Sequence, residues 1–109
     1  MTKFNNRKTI IDGNTFDSRG ESLRYTVLKD RVERGFITNL NTHVPFAITI
    51  NGVKVCRYVA DFTYDRDGQS VVEDFKSKAT ITSTFRLKAK LMKAVHGIDV
   101  QVVMTPEAA

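Results

Sequence analysis

Asn51-Gly52 constrains this chain more than any other dipeptide in it. It stands between the apolar run 46–50 (Phe-Ala-Ile-Thr-Ile) and a second, longer run over 53–64. Asn-Gly takes the left-handed backbone that two-residue hairpin turns demand, so the flanking runs must pair as antiparallel strands. A second turn, Asp65-Arg66-Asp67-Gly68, returns the chain as a third strand over 70–76. The consequence is an antiparallel meander. Upstream, 36–40 reads as a short strand, and Pro45 interrupts the run after it. That marks a sheet edge, where a missing N–H does least harm.

Helix period replaces strand period on both sides of the meander. Ser18-Arg19-Gly20-Glu21 matches the S-x-x-E capping box, with Asp17 or Ser18 as the cap. Tyr25, Leu28 and Val32 then recur at helical spacing, with Leu23 and Val27 beside them, and Gly35 ends a helix over about 19–34. After the meander, Thr82 or Ser83 caps a second helix with a stripe of Phe85, Ala89, Met92 and His96. Leu87, Leu91 and Val95 widen the stripe, Arg86, Lys90 and Lys93 lie opposite, and Gly97 is the C-cap. Residues 98–103 read as a final buried strand, and a helical crossover before it favours parallel pairing with the third strand. The expected fold is therefore α/β, a mixed sheet with an antiparallel meander flanked by helices.

Composition narrows the function. A chain of 109 residues predicts one domain over 1–109, with 1–8 as a basic arm and 105–109 as a flexible tail. Cys56 is the one cysteine, which excludes an internal disulfide framework and a cysteine zinc site. No apolar run is long enough for a bilayer and the first residues carry no secretory signal, so the expectation is a cytoplasmic protein with no membrane partner. Lysine and arginine number 17 against 12 acids, giving net +5 and a preference for polyanions.

Two acids stand where apolar residues are expected. Asp61 lies inside the long second strand and Asp74 near the end of its hairpin partner, within a residue or two of each other across the ladder. Two carboxylates ~5 Å apart repel by ~3 kcal/mol at an effective dielectric of 20, and a bound cation removes that penalty. Oxygen ligands suit a hard divalent ion. Lys76 shares a strand face with Asp74 and would place its ammonium near the ion, where it orients water or meets charge growing on a phosphate. Glu21, on the inward stripe of the first helix, points to the same place. Together these predict metal-assisted attack of water on a phosphodiester.

Asp61, then Asp74-x-Lys76, with Glu21 on a preceding helix, resembles the PD-(D/E)XK nuclease superfamily, whose fold is restriction-endonuclease-like. The similarity extends to small phage-encoded nucleases of this length, through Phe16-Asp17-Ser18-Arg19-Gly20-Glu21, Tyr58-Val59-Ala60-Asp61-Phe62, Val72-Glu73-Asp74-Phe75-Lys76 and the late basic Phe85-Arg86-Leu87-Lys88. It spans about 8–103. Two positions depart from the pattern: Asp61 follows Ala60 rather than proline, and Ser77 follows Lys76 where the phage group carries glycine. The resemblance implies Mg²⁺ or Mn²⁺ held by Glu21, Asp61, Asp74 and the backbone carbonyl of Phe75, with Lys76 as the catalytic lysine. It also implies a DNA endonuclease, with Holliday junctions as the preferred branched substrate. A 12.3 kDa protomer offers one cutting centre, so cutting both strands calls for a homodimer.

Each residue also has a plainer reading. Glu21 serves as a capping acid, Lys76 as a surface lysine, and Glu73 competes with Asp74, although spacing to Lys76 assigns Asp74 to the site and Glu73 to solvent. His43 reads as a structural or solvent-facing residue beside Pro45. Lys78, Arg86, Lys88, Lys90 and Lys93 form either a solvated helix face or a phosphate footprint, and an acidic centre nearby favours the footprint, with Lys88 reaching the scissile phosphate. Lys3, Arg7 and Lys8 would extend it as an arm. The rival functions are a flap or nicking nuclease and a basic DNA-binding module without catalysis.

Overall fold

In a computed structural model, which describes residues 8–109, the chain opens on a small hairpin. Strands β1 (Thr9–Ile11) and β2 (Asn14–Phe16) pair antiparallel around Asp12-Gly13, both with positive φ. Helical spacing alone places the first element at α1, although Asp-Gly between short β-rich runs is itself a hairpin signal. Helix α1 (Arg19–Glu33) follows, capped by the Ser18 hydroxyl, which accepts the Glu21 N–H at 3.1 Å. Next come β3 (Thr38–Ile50), β4 (Val53–Arg66), β5 (Gln69–Phe75), a 3-10 turn (Lys78–Thr80), α2 (Ser83–His96) and β6 (Gln101–Val103).

The main sheet has the order β3-β4-β5-β6, antiparallel except for the parallel β5–β6 pair. Mixed sheet, meander and flanking helices are as expected. Residues expected as a short strand and a proline-broken run form one strand instead, because β3 is an edge and Pro45 pairs opposite Val59 within the ladder. The last strand is shorter than expected and mostly exposed, with Val103 alone buried in it. On the helices, Leu23, Val32 and Leu87 are exposed while Arg24 is buried. Thr82 and Gly97 cap α2 as expected, Gly97 in the left-handed region at φ 69°. Among the described residues, no helix is long and apolar enough to cross a membrane.

Two apolar clusters divide the core. Phe16, Tyr25, Leu28, Ile37, Phe62 and Tyr64 lie under α1, and Ile48, Tyr58, Ala60, Val72, Phe85 and Met92 lie under α2. Tyr58, Ala60, Phe62 and Tyr64 all lie on one face of β4 by alternation. The change of cluster between Ala60 and Phe62 falls where the β4–β5 ladder ends, at the pair Phe62↔Glu73. Beyond it β3 and β4 continue as a two-stranded ribbon, which twists more than a full sheet and carries that face from one helix to the other. Asp61 occupies the point of divergence.

Candidate metal centre

The sheet edge opened by that divergence is closed by side chains. Asp74 Oδ1 accepts the Asp61 N–H at 2.8 Å, and Asp61 Oδ2 accepts the Phe75 N–H at 2.8 Å. The two acids, directly in register beyond the last ladder pair, thus satisfy the backbone donors that the parting strands release. The Tyr58 hydroxyl donates to Asp74 Oδ2. Burial and then Asp74 push the Tyr58 phenol far above its ordinary range, so it remains a donor.

Glu21 arrives from the first turn of α1. Its Oε1 accepts the Asp17 N–H at 3.0 Å, so it does serve the helix start, and its side chain is 6% exposed. Gly20 permits this approach: a Cβ there would lie 2.5 Å from Phe75 Cε1, so the ring fits over the helix start only against glycine. Burial first, then the neighbouring Glu21 carboxylate, push Asp61 up to about 8, opposed by the Phe75 N–H and Lys76. Burial and then Asp61 push Asp74 up to about 6, opposed by Tyr58, the Asp61 N–H and Lys76. Loss of solvent is the larger part of both shifts, and the neighbouring acid adds to it.

Glu21, Asp61, Phe75 and Lys76 line a cavity of about 510 Å³ with Ser77 and Thr80. Asp61 and Lys76 also line a second, of about 300 Å³, with Asp74, Arg57, Thr82, Phe85 and Lys88. The Lys76 ammonium lies 4.6 Å from the Phe85 ring centroid and forms no ion pair among the described residues. Lys88 donates to the Arg57 carbonyl at 2.9 Å. The structure therefore gathers Glu21, Asp61, Asp74, Phe75, Lys76 and Lys88 around two adjoining cavities. Lys8, Lys78, Arg86, Lys90 and Lys93 line neither; all five are exposed, and Lys93 pairs with Asp99 at 3.0 Å. Lys3 and Arg7 lie outside the described residues.

Two expectations are corrected. Glu73 is not a solvated charge: it is fully buried, bridged by Arg24 through Nε at 2.8 Å and Nη2 at 2.9 Å, and accepts the Tyr64 hydroxyl at 2.6 Å. The tail at 105–109 is held rather than free, because Arg24 donates to the carbonyls of Pro106 and Ala108, and Arg31 to that of Ala108. His43, expected to be structural or solvent-facing, lies beside two of the acids. One ligand atom each from Glu21, His43 and Asp61 lies within 4.8 Å of the other two. His43 falls between the paired residues Thr42↔Phe62 and Val44↔Ala60, hence opposite Asp61. The turn at Asn51-Gly52 alone would place Thr42 there, but a bulge between Ile48 and Thr49 shifts the register by one residue.

Buried carboxylates clustered in this way, Asp61 and Asp74 with no ion pair among the described residues, fit a hard divalent ion. No curated protein and no solved structure matches the chain. A family model described as "Protein of unknown function (DUF1064)" matches residues 1–105, and the chain belongs to that family.

Proposed function

We propose that this protein is a metal-dependent endodeoxyribonuclease that hydrolyses phosphodiesters in branched DNA such as a Holliday junction, working as a homodimer. The observation that carries the reading is the in-register pair Asp61 and Asp74, flanked by Glu21 and Lys76 on connected cavities. The order helix, three-stranded meander, helix, parallel strand supports it, being the arrangement expected of the restriction-endonuclease-like core.

Glu21, Asp61, Asp74 and the Phe75 carbonyl would hold Mg²⁺ or Mn²⁺, which supplies Lewis acidity to a phosphoryl oxygen and acidifies water. The protein's own contribution is placement and charge. Lys76, held by Phe85 and in no ion pair among the described residues, offers its ammonium to the phosphate under attack. Arg57 and Lys88, with the Thr82 and Thr84 hydroxyls, line the second cavity and receive the neighbouring phosphate. Arg86, Lys90 and Lys78 extend that footprint as exposed, salt-sensitive contacts.

Cleavage of a labelled four-way junction beside a plain duplex, with Mg²⁺, Mn²⁺ or EDTA, tests the proposal. Paired cuts near the branch point that need metal, and fall by about 10³ or more in Asp74→Ala, are expected. Metal-dependent cutting of duplex or flap alone removes the junction assignment. Salt-sensitive binding without cutting under any metal replaces the nuclease with a DNA-binding module.

A further inference from the structure

The acids of the proposed site are joined by a nitrogen donor. His43 enters from the edge strand β3, its ring tilted against Phe16 with centroids 5.6 Å apart, with Nε2 3.6 Å from Glu21 Oε2. That separation is too long for a hydrogen bond. Glu21 is more than nine-tenths buried, and its other oxygen, Oε1, is occupied by the Asp17 N–H. Ligand atoms around an octahedral ion with bonds of about 2.1 Å lie about 3–4.2 Å apart. The 4.8 Å spread of Glu21, His43 and Asp61 is only slightly wider, so small side-chain rotations bring all three onto one ion.

We infer that His43 is a protein ligand of the metal site, beside Glu21 and Asp61, and that the site therefore takes a transition ion such as Mn²⁺ in preference to Mg²⁺. The inference rests on the metal-dependent reading above and adds a ligand that reading lacks. Imidazole binds later transition ions strongly, Mn²⁺ modestly and Mg²⁺ least, whereas carboxylates accept all of them. Phe16 holds the ring on one side, and the register of β3 against β4 keeps it opposite Asp61.

The test is Mn²⁺ titration of the whole protein followed by electron paramagnetic resonance, with pulsed detection of nitrogen coupling. The expected result is one bound Mn²⁺ with imidazole nitrogen coupling in the wild type. In His43→Ala that coupling disappears and Mn²⁺ affinity falls about tenfold or more, while Mg²⁺ affinity, read by competition, changes less. Mn²⁺ bound without nitrogen coupling in the wild type overturns the inference and leaves the metal-dependent nuclease standing. No Mn²⁺ binding at all overturns both. The wild-type spectrum decides the matter without any variant, so poor folding of His43→Ala does not spoil it.

Discussion

Glu73 and Asp74 are adjacent in sequence, equally buried, and opposite in kind. Glu73 faces α1, where Arg24 grips both its oxygens and Tyr64 adds a hydroxyl. Asp74 faces α2, where a phenol and a backbone N–H are its donors and the acid Asp61 acts on it more strongly than the cation Lys76. One carboxylate carries its counterion within the fold; the other forms no ion pair among the described residues. A buried acid with its own guanidinium is a structural joint. A buried acid beside a second acid, open to a cavity, is where the fold leaves room for a cation from outside.

Breaking the joint should have the largest effect. Arg24→Ala leaves Glu73 charged and unpaired and also frees the carbonyls of Pro106 and Ala108. Denaturant unfolding should show a loss of about 3–5 kcal/mol, with Glu73→Gln somewhat milder. A loss well under 1 kcal/mol would erase the contrast.

The opposite sign is expected on the other face. Asp61 and Asp74 have folded values near 8 and 6, above their ordinary 3.8. Their contribution to the metal-free protein is therefore fully present below about pH 4 and is lost as the pH rises through those values. Asp61→Asn removes the larger part, so at pH 8 without metal it should be more stable than the wild type by about 1–3 kcal/mol. At pH 4 the two should differ little. Thermal melts in EDTA at both values check this, and a variant less stable at pH 8 would mean that Asp61 has a cation of its own. Added Mn²⁺ should reverse the order, stabilising the wild type alone.

Gly20 sharpens the comparison at the point where the two faces meet. Gly20→Ala gains about 1 kcal/mol of helix propensity but pushes the Phe75 ring, at a cost of about 1–3 kcal/mol. The expected net loss is about 1 kcal/mol, with weaker Mn²⁺ binding because Glu21 moves with the helix start. Smallest is the solvent face of α2: Arg86→Ala with Lys90→Ala should leave the melting temperature unchanged. If both touch phosphates, the slope of log affinity against log salt for duplex DNA should drop by about 2.

The legible parts of this protein are local. Asn51-Gly52, the turn ending in Gly68, the Ser18 cap and the Thr82 and Gly97 caps act within a few residues, so they can be read directly and they place the elements. The short turn Asp67-Gly68 even carries the register far enough to bring Asp61 opposite Asp74, which is why that pair is visible from sequence. Pro45 marked the edge correctly but did not break the strand, because an edge strand has one side that needs no N–H.

What the tertiary structure decided depends on distance and on single-residue offsets. One bulge after Ile48 exchanges Thr42 for His43 opposite Asp61, and strand alternation turns a one-residue slip into a change of face. The fate of Glu73 rested on Arg24, 49 positions away, and nothing local distinguishes a buried joint from a solvated charge. The sequence by itself determined where strands, turns and helices lie and that two acids meet between strands. Packing of α1 against β5 decided which acid received a counterion and which was left to seek one, because charge compensation in a core is settled by the groups that share a volume.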